Sequence, residues 1–231
     1  WMAEGVDWAR TNGARVINLS VGDPRGTADM TPVFDAIRRA REAGIVVVAA
    51  TGNSGDSVRA PATSEDVIAV GATTYERQIA AYSCYGPEVD VVAPGGASPG
   101  QLIGSVTDGI LQQSISDFNQ LFAPAFPEHP VAPGFYYTVG TSQAAPHVSA
   151  LAGLLISRRP TLTGQEVRNA IEATAIDLGP PGRDEEYGNG LIDPVAALTF
   201  GINTYAPIAD TALGLDSIEA IEDVWRLSPD A

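Results

Sequence analysis

The sequence predicts an α/β fold of three layers, in which helices flank a mostly parallel sheet. Two apolar segments, ARVINLSVG at 14–22 and GIVVVAATG at 44–52, have the composition of strands that are buried on both faces. Between them, residues 32–43 (PVFDAIRRAREA) repeat apolar side chains at helical spacing. A strand, a helix and a strand joined by short connections form a βαβ unit, so the two strands are expected to be parallel.

The remaining elements follow from local patterns along the chain. Residues 1–14 (WMAEGVDWARTNGA) have the composition of a helix already in progress. Two more buried strands are predicted at 66–73 (DVIAVGAT) and 88–95 (EVDVVAPG). The helix predicted at 163–175 (TGQEVRNAIEATA) begins with a capping box, because its first threonine is followed three positions later by a glutamate.

The stretch GTSQAAPHV at 140–148 precedes a second buried helix. Residues 148–157 (VSALAGLLIS) are apolar and small on nearly all faces, which is typical of a helix in a protein core. Ser142 is predicted as the N-cap, which puts Pro146 near the end of the first turn, where a missing N–H removes little. The positive end of the helix dipole then faces the Ser142 hydroxyl in a turn without bulky side chains.

One domain is expected over residues 1–202, with a long insertion loop at about 96–135 that is rich in Pro, Gly, Ser and Gln. Residues 203–231 form an acidic tail or the start of a linker. Because the chain begins with Trp1 inside a helical pattern, it is expected to be a piece of a longer protein.

Composition limits the classes of partner. The 231 residues are 45% hydrophobic and carry a net charge of −15, and all 13 basic residues are arginine. This balance argues against nucleic acid and anionic membranes as partners, because phosphate binding needs clustered positive charge. No segment is apolar for long enough to span a bilayer. The single cysteine, Cys84, excludes an internal disulfide and a cysteine-based metal site.

Three short loops contain the residue types that catalysis of acyl transfer uses. They comprise residues 20–22, 52–55 and 140–142, and they lie at or beside the carboxyl ends of predicted strands, where sites form in open α/β sheets. Acyl transfer needs a hydroxyl nucleophile, a base and donors for the oxyanion. Ser142 supplies a hydroxyl, while the Asn53 amide and the Ser142 N–H supply donors. Taken singly, either residue fits an ordinary turn, and only their combination favours catalysis.

Several segments together resemble the subtilisin-like serine proteases, the subtilases of peptidase family S8. GTSQAAPHV matches the serine motif GTSxAAPHV, and AATGN at 49–53 matches the oxyanion motif AAxGN. VINLSVG at 16–22 resembles the strand that lines the substrate pocket. The matches extend over about residues 5–200 in the order of the family, and they include DVIAVGAT, GPEVDVVAPG and YGNGLIDPVAAL.

The resemblance implies a role for each matched residue. Ser142 would be the nucleophile, and Asn53 would polarise the scissile carbonyl. The substrate-binding residues that it implies are Ser20, Val21, Gly22, Ala50, Thr51, Gly52 and Thr141. Because Val21 and Thr51 are small, an apolar substrate residue is expected before the cleaved bond.

The family's catalytic aspartate and histidine are not matched. They precede the VINLSVG strand in D-[ST]-G and H-G-[ST] settings, which residues 1–15 lack. His147 has a structural place in the serine motif, and His129 in FPEHP is expected to be solvated. A missing N-terminal segment is therefore the expected partner that carries both residues, and it would also cover the exposed edge of the VINLSVG strand.

Two functions from different classes remain open. The first is a secreted, extracellular serine endopeptidase of which this fragment, inactive alone, is the C-terminal part of the catalytic domain. The second is a non-catalytic homologue that binds peptide or acts as an interaction domain. A serine esterase is disfavoured because the G-x-S-x-G elbow is absent around Ser142.

No cofactor is required, although the family implies that structural calcium can bind, for instance near the loop at 61–67. No metal site is predicted from carboxylate spacing. Four carboxylates are expected to be solvated: Asp90, Asp184, Glu185 and Glu186. The expected partner is a peptide or protein substrate.

Overall fold

A computed structural model describes residues 1–23, 28–97, 109–114 and 134–201. Four parallel strands form the main sheet in the order β1-β2-β3-β4. Their bounds are Val16–Leu19 (β1), Val46–Ala50 (β2), Ile68–Thr73 (β3) and Val91–Pro94 (β4). The predicted α/β class and the parallel pairing are confirmed.

Five helices are described along the chain. Their bounds are Met2–Thr11 (α1), Thr31–Glu42 (α2), Thr141–Arg158 (α3), Gly164–Ala173 (α4) and Pro194–Thr199 (α5). None of these helices is long and apolar enough to cross a lipid bilayer. The capping box predicted for α4 is present, since Thr163 Oγ1 accepts a hydrogen bond from the Glu166 N–H and Glu166 accepts one from the Thr163 N–H.

Two hydrophobic clusters make the layers. Successive side chains of a strand point to opposite faces of a sheet. In β2, Val46 and Val48 pack in the cluster that contains α3, α4 and α5, whereas Val47 and Ala49 pack in the cluster that contains α1 and α2. All of β2 is buried, so its unbroken apolar run is what a strand covered on both faces requires.

Helix α3 begins earlier than predicted, so the prediction of Ser142 as its N-cap is wrong. The helix begins at Thr141 with Gly140 as its N-cap, so Ser142 lies inside the first turn. Gly140 has φ of +149°, a conformation that glycine adopts without strain. The early start places Pro146 within the helix and Ser142 among the N–H groups that have no intrahelical partner.

A second sheet occupies part of the region that was predicted to be an irregular loop. Strands Ile110–Ser114 (β5) and Gly134–Thr138 (β6) are antiparallel and pair Leu111 with Tyr137. The prediction of a loop over all of 96–135 is therefore wrong for these residues. Two short strands that lack a buried parallel pattern become recognisable only through their mutual pairing. Residues 98–108 and 115–133, with His129, and the tail at 203–231 lie outside the described residues.

β1 is at one edge of the main sheet. It pairs with β2 on one side and has no strand partner on the other among the residues described. This placement agrees with the expected exposed edge of the VINLSVG strand.

The four carboxylates that were expected to be solvated differ from one another in exposure and in their contacts. Glu185 and Glu186 are exposed, and Asp184 accepts hydrogen bonds from two backbone N–H groups of its own loop. Asp90, at the start of β4, is instead buried and ion-paired with Arg168 of α4. The expectation for Asp90 was wrong, because a sequence does not show which arginine will pack beside a carboxylate.

Candidate active site

A cleft of about 270 Å³ opens where the carboxyl ends of β1 and β2 meet the start of α3. The cleft is lined by Ser20, Val21, Gly22, Ala50, Gly52, Asn53, Ser54, Arg59, Thr141 and Ser142. The structure thus brings together the residues that were predicted for the site from three separate loops. Thr51 differs from the others, since its side chain is fully buried and does not line the cleft.

Ser142 and Ser20 hold each other through two hydrogen bonds. The Ser142 hydroxyl donates to the Ser20 carbonyl at 3.0 Å, and the Ser20 hydroxyl donates to the Ser142 carbonyl at 2.9 Å. Further along β1, Asn18 Nδ2 donates to Ser20 Oγ at 2.8 Å, and Ser149 Oγ donates to Asn18 Oδ1 at 2.8 Å. A chain of polar groups thus fixes the first turn of α3 against the end of β1.

Pro146 explains why the Ser142 carbonyl is available. In a regular helix this carbonyl would accept a hydrogen bond from the N–H four residues later, but proline has none. The Ser20 hydroxyl supplies the missing donor from another strand. In place of a hydrogen bond within the helix, the Ser142 carbonyl therefore accepts one from the opposite wall of the cleft.

The amide of Asn53 has a defined orientation. Its Oδ1 accepts hydrogen bonds from the Thr141 N–H and the Thr141 hydroxyl, both at 2.8 Å. Thr141 Oγ1 also accepts from the Gly52 N–H at 3.2 Å. Because an amide nitrogen cannot accept a bond from an N–H, Oδ1 must face Thr141 and Nδ2 must point away from it. A Cβ atom at Gly140 would lie 3.2 Å from Nδ2, so glycine at that position keeps the amide nitrogen clear.

Two donors in the cleft that contains the Ser142 hydroxyl lack partners. Within the described part of the chain, neither the Ser142 N–H nor Asn53 Nδ2 makes a hydrogen bond. The Ser142 N–H belongs to the first turn of α3, the positive end of the helix dipole, and Asn53 is bonded to that turn through Thr141. A hydroxyl that shares a cleft with two unused donors provides what acyl transfer requires, because such donors stabilise the negative charge that develops on the carbonyl oxygen.

The described histidine lies elsewhere on α3. His147 Nδ1 is 2.9 Å from the Gln143 carbonyl of the same helix. The only hydrogen bond that the Ser142 hydroxyl makes to the described residues is to the Ser20 carbonyl.

Sequence reasoning missed one residue that lines the cleft, Arg59, while Ser54 lies in the predicted loop at 52–55 but was given no role. Arg59 is six residues after Asn53, in NSGDSVR, and a charged residue so close to the AATGN motif was a usable signal. Asp56, between them, accepts a hydrogen bond from Ser54 Oγ at 2.6 Å. This bond, reinforced by the charge of Arg59, lowers the pKa of the Asp56 carboxyl below its ordinary value.

One carboxylate of the loop at 61–67 is engaged by a protein contact. Asp66 forms an ion pair with Arg41 of α2. Over the described ranges, no group of three or more His, Cys, Asp or Glu residues is arranged to hold a metal ion. Structural calcium at this loop stays a prediction.

Comparison with known proteins gives matches over most of the chain. Subtilisin DY of Bacillus licheniformis is 36% identical over 201 residues, which are 85% of this chain and 61% of that protein. The minor extracellular protease Epr of Bacillus subtilis is 34% identical over 202 residues, 86% of this chain and 26% of that protein. The crystal structure of a lanthipeptide protease superposes with a TM-score of 0.71 at 27% identity and covers 86% of this chain and 65% of its own.

The chain thus spans less than two thirds of each of these proteins. The family model described as "Subtilase family" matches residues 1–190, which contain β1, the AATGN segment and the first turns of α3. The residues that form the cleft are therefore all inside the matched region, and the chain belongs to the subtilase family.

Proposed function

We propose that the full-length protein is a serine endopeptidase that cleaves peptide bonds through an acyl-enzyme, with Ser142 as the nucleophile. The observation that supports this most directly is the pair of unused donors, the Ser142 N–H and Asn53 Nδ2, in the same cleft as the Ser142 hydroxyl. A binding module has no need of an oriented oxyanion asparagine and a hydroxyl in the same turn.

The proposed reaction has two halves. Ser142 Oγ attacks the scissile carbonyl carbon while a general base takes its proton, and the two free donors hold the oxyanion. The C–N bond then breaks, the departing amine receives the proton, and the acyl group remains as an ester on Ser142. Water hydrolyses this ester through the same steps. The proposal assigns the base to a histidine, oriented by an aspartate, in a segment outside these residues.

The substrate class is a peptide or protein, and the reaction uses no cofactor. The proposed location is extracellular, which is supported by the similarity to a minor extracellular protease of Bacillus subtilis.

The second candidate is a non-catalytic homologue whose cleft binds peptide. It is favoured by one observation: the Ser142 hydroxyl donates to a backbone carbonyl, and among the residues that the structure describes no histidine bonds to it.

A comparison of Ser142→Ala with Ser157→Ala in the full-length protein tests the proposal. Ser157 is an exposed serine at the far end of α3 and serves as the matched control. Ser142→Ala is expected to reduce kcat for peptide hydrolysis by about a million-fold, a magnitude known from the same replacement in subtilisin. Ser157→Ala should leave kcat and the melting temperature unchanged, whereas Ser142→Ala should melt a few degrees lower, because it loses its hydrogen bond to the Ser20 carbonyl.

Labelling by phenylmethylsulfonyl fluoride gives an independent readout, since it should occur in the wild type and the Ser157 variant only. The 231-residue chain alone is expected not to hydrolyse peptides. Absence of both hydrolysis and labelling in the full-length wild type would contradict the endopeptidase and favour the peptide-binding homologue.

A further inference from the structure

Arg59 lines the cleft and lies against both of its walls, and its side chain is termed the floor of the cleft. A Cβ atom at Gly52 would lie 2.8 Å from Arg59 Cγ, and one at Gly22 would lie 3.6 Å from Arg59 Cβ. Each wall thus has a glycine where it contacts the Arg59 stem. The space that two side chains would fill is taken by the methylenes of one arginine.

The backbone around Arg59 is tied to both walls. The Arg59 N–H donates to the Thr51 carbonyl at 2.8 Å, beside the wall that follows β2. The Ala60 carbonyl accepts from the Asp23 N–H at 2.9 Å, beside the wall that follows β1. The Arg59 backbone is therefore positioned by hydrogen bonds to both loops that form the cleft.

The Arg59 guanidinium forms hydrogen bonds through two of its three nitrogens, Nε and Nη2. Nη2 donates to both oxygens of Asp56, at 2.9 and 2.6 Å, and Nη2 and Nε both contact Ser54 Oγ. Nη1 makes no hydrogen bond to any residue that the structure describes. Asp56 remains ionised because its pKa is lowered by the Ser54 hydrogen bond and the Arg59 charge. The counter-ion thus fixes the plane of the guanidinium and leaves one pair of N–H donors for a ligand.

Among the described residues that line the cleft, Arg59 is the only charged one. Its side chain retains 23% of its exposed surface. An apolar substrate side chain packed on this floor would displace water from the guanidinium without supplying an acceptor, which is unfavourable for a charged donor. A carboxylate would instead accept a charge-assisted hydrogen bond from the fixed planar group.

We propose that Arg59 is the specificity-determining residue of the cleft and that it selects substrates with an Asp or Glu side chain before the cleaved bond. The inference rests on the proposed function in one respect, that a peptide occupies the cleft. It differs from the apolar preference expected from Val21 and Thr51, since Thr51 is buried away from the cleft and Arg59 contributes the floor.

The test uses the full-length protein and peptidyl aminomethylcoumarin substrates that differ only in the residue before the coumarin, which is Glu, Gln or Leu. Glu and Gln have the same shape, so their ratio of kcat/KM isolates the charge. The wild type is expected to prefer Glu over Gln by about tenfold, the effect of one charge-assisted hydrogen bond. Arg59→Gln should bring the ratio to about one.

Two further variants make the test specific. Asp56→Asn keeps Arg59 and removes its counter-ion, so the preference for Glu should increase. This variant tests the proposal even if Arg59→Gln does not fold. Arg38→Gln changes the net charge as Arg59→Gln does, but Arg38 is exposed on α2, where it pairs with Asp35, so the ratio should stay at the wild-type value.

Binding to the Ser142→Ala variant separates the specificity from the chemistry. The affinity of the matching unlabelled Glu and Gln peptides is measured by calorimetry in this background, with and without Arg59→Gln. If peptides bind with an Arg59-dependent preference for Glu while the wild type hydrolyses none, the specificity stands and the endopeptidase function fails. Equal affinity for Glu and Gln, an unchanged ratio in both Arg59→Gln and Asp56→Asn, or no peptide binding at all would overturn the specificity.

Discussion

The cleft and the Asp90 cluster are two polar regions beside the same sheet. They differ in whether their hydrogen-bond donors have partners within the protein. The Asp90 cluster comprises Asp90, Arg168 and Glu172 and lies between β4 and α4. Its carboxylate is buried, with one oxygen bonded to Arg168 Nη2 at 2.7 Å and the other to the Ala69 N–H at 2.8 Å. Burial raises the pKa of Asp90, and the charge of Arg168 acts in the opposite direction.

Arg168 is saturated as well. Its Nε donates to Glu172 at 2.6 Å and its Nη1 to the Glu65 carbonyl at 2.8 Å, so all three guanidinium nitrogens are bonded. In the cleft, by contrast, the Ser142 N–H, Asn53 Nδ2 and Arg59 Nη1 have no partner within the described ranges. A saturated polar cluster fastens a helix to the sheet, whereas a cleft with unused donors is completed by its ligand.

The largest expected effect is on stability, from Asp90→Ala. The substitution leaves Arg168 without its main counter-ion in a buried place and the Ala69 N–H without an acceptor. Breaking a buried pair in this way costs about 3–5 kcal/mol of the free energy of unfolding. Urea unfolding of the full-length protein measures the loss, and Glu185→Ala, at an exposed carboxylate, is the control with no expected change. If Asp90→Ala were as stable as Glu185→Ala, the Asp90 cluster would not stabilise the fold, and its contrast with the cleft would be wrong.

Asn53→Ala is expected to have the next largest effect, on turnover. Loss of the Nδ2 donor should lower kcat by about 10²–10³-fold, or about 2.7–4 kcal/mol in the barrier, a magnitude known from the oxyanion asparagine of subtilisin. KM should change little, whereas the melting temperature should fall by a few degrees, because the N–H and hydroxyl of buried Thr141 lose their shared acceptor. Asn12→Ala, at an exposed asparagine that bonds only to the Trp8 carbonyl, is the control. Unchanged turnover in Asn53→Ala would show that the oxyanion assignment is wrong.

The smallest expected effect concerns the hydrogen bond in the cleft between the Ser20 hydroxyl and the Ser142 carbonyl. Ser20→Ala removes the donor and should cost about 1 kcal/mol of stability. In a Pro146→Ala background the cost should be smaller, because the new N–H at position 146 can bond to the Ser142 carbonyl within the helix. A double-mutant cycle in urea measures this coupling. Additive effects would mean that Pro146 and Ser20 do not share the Ser142 carbonyl as an acceptor.

The sequence by itself determined the α/β class, the four parallel strands and the loops that supply Ser142, Asn53 and Ser20. These features depend on local patterns, namely apolar runs, helical spacing, a capping box and motifs at strand ends, which survive without knowledge of distant contacts. The resemblance to the subtilases came from the same segments, and the matched family region confirms it.

Only the tertiary structure decided which distant groups meet. It shows that β5 pairs with β6 and that Asp90, expected at the surface, is a buried ion-pair partner of Arg168. It also shows that the Ser142 carbonyl accepts its hydrogen bond from Ser20 and not from its own helix. It also placed Arg59 between two glycines from separate loops. Hydrogen bonds and ion pairs depend on distances between residues that are far apart in the chain, and a pattern of neighbours along the sequence carries no record of those distances.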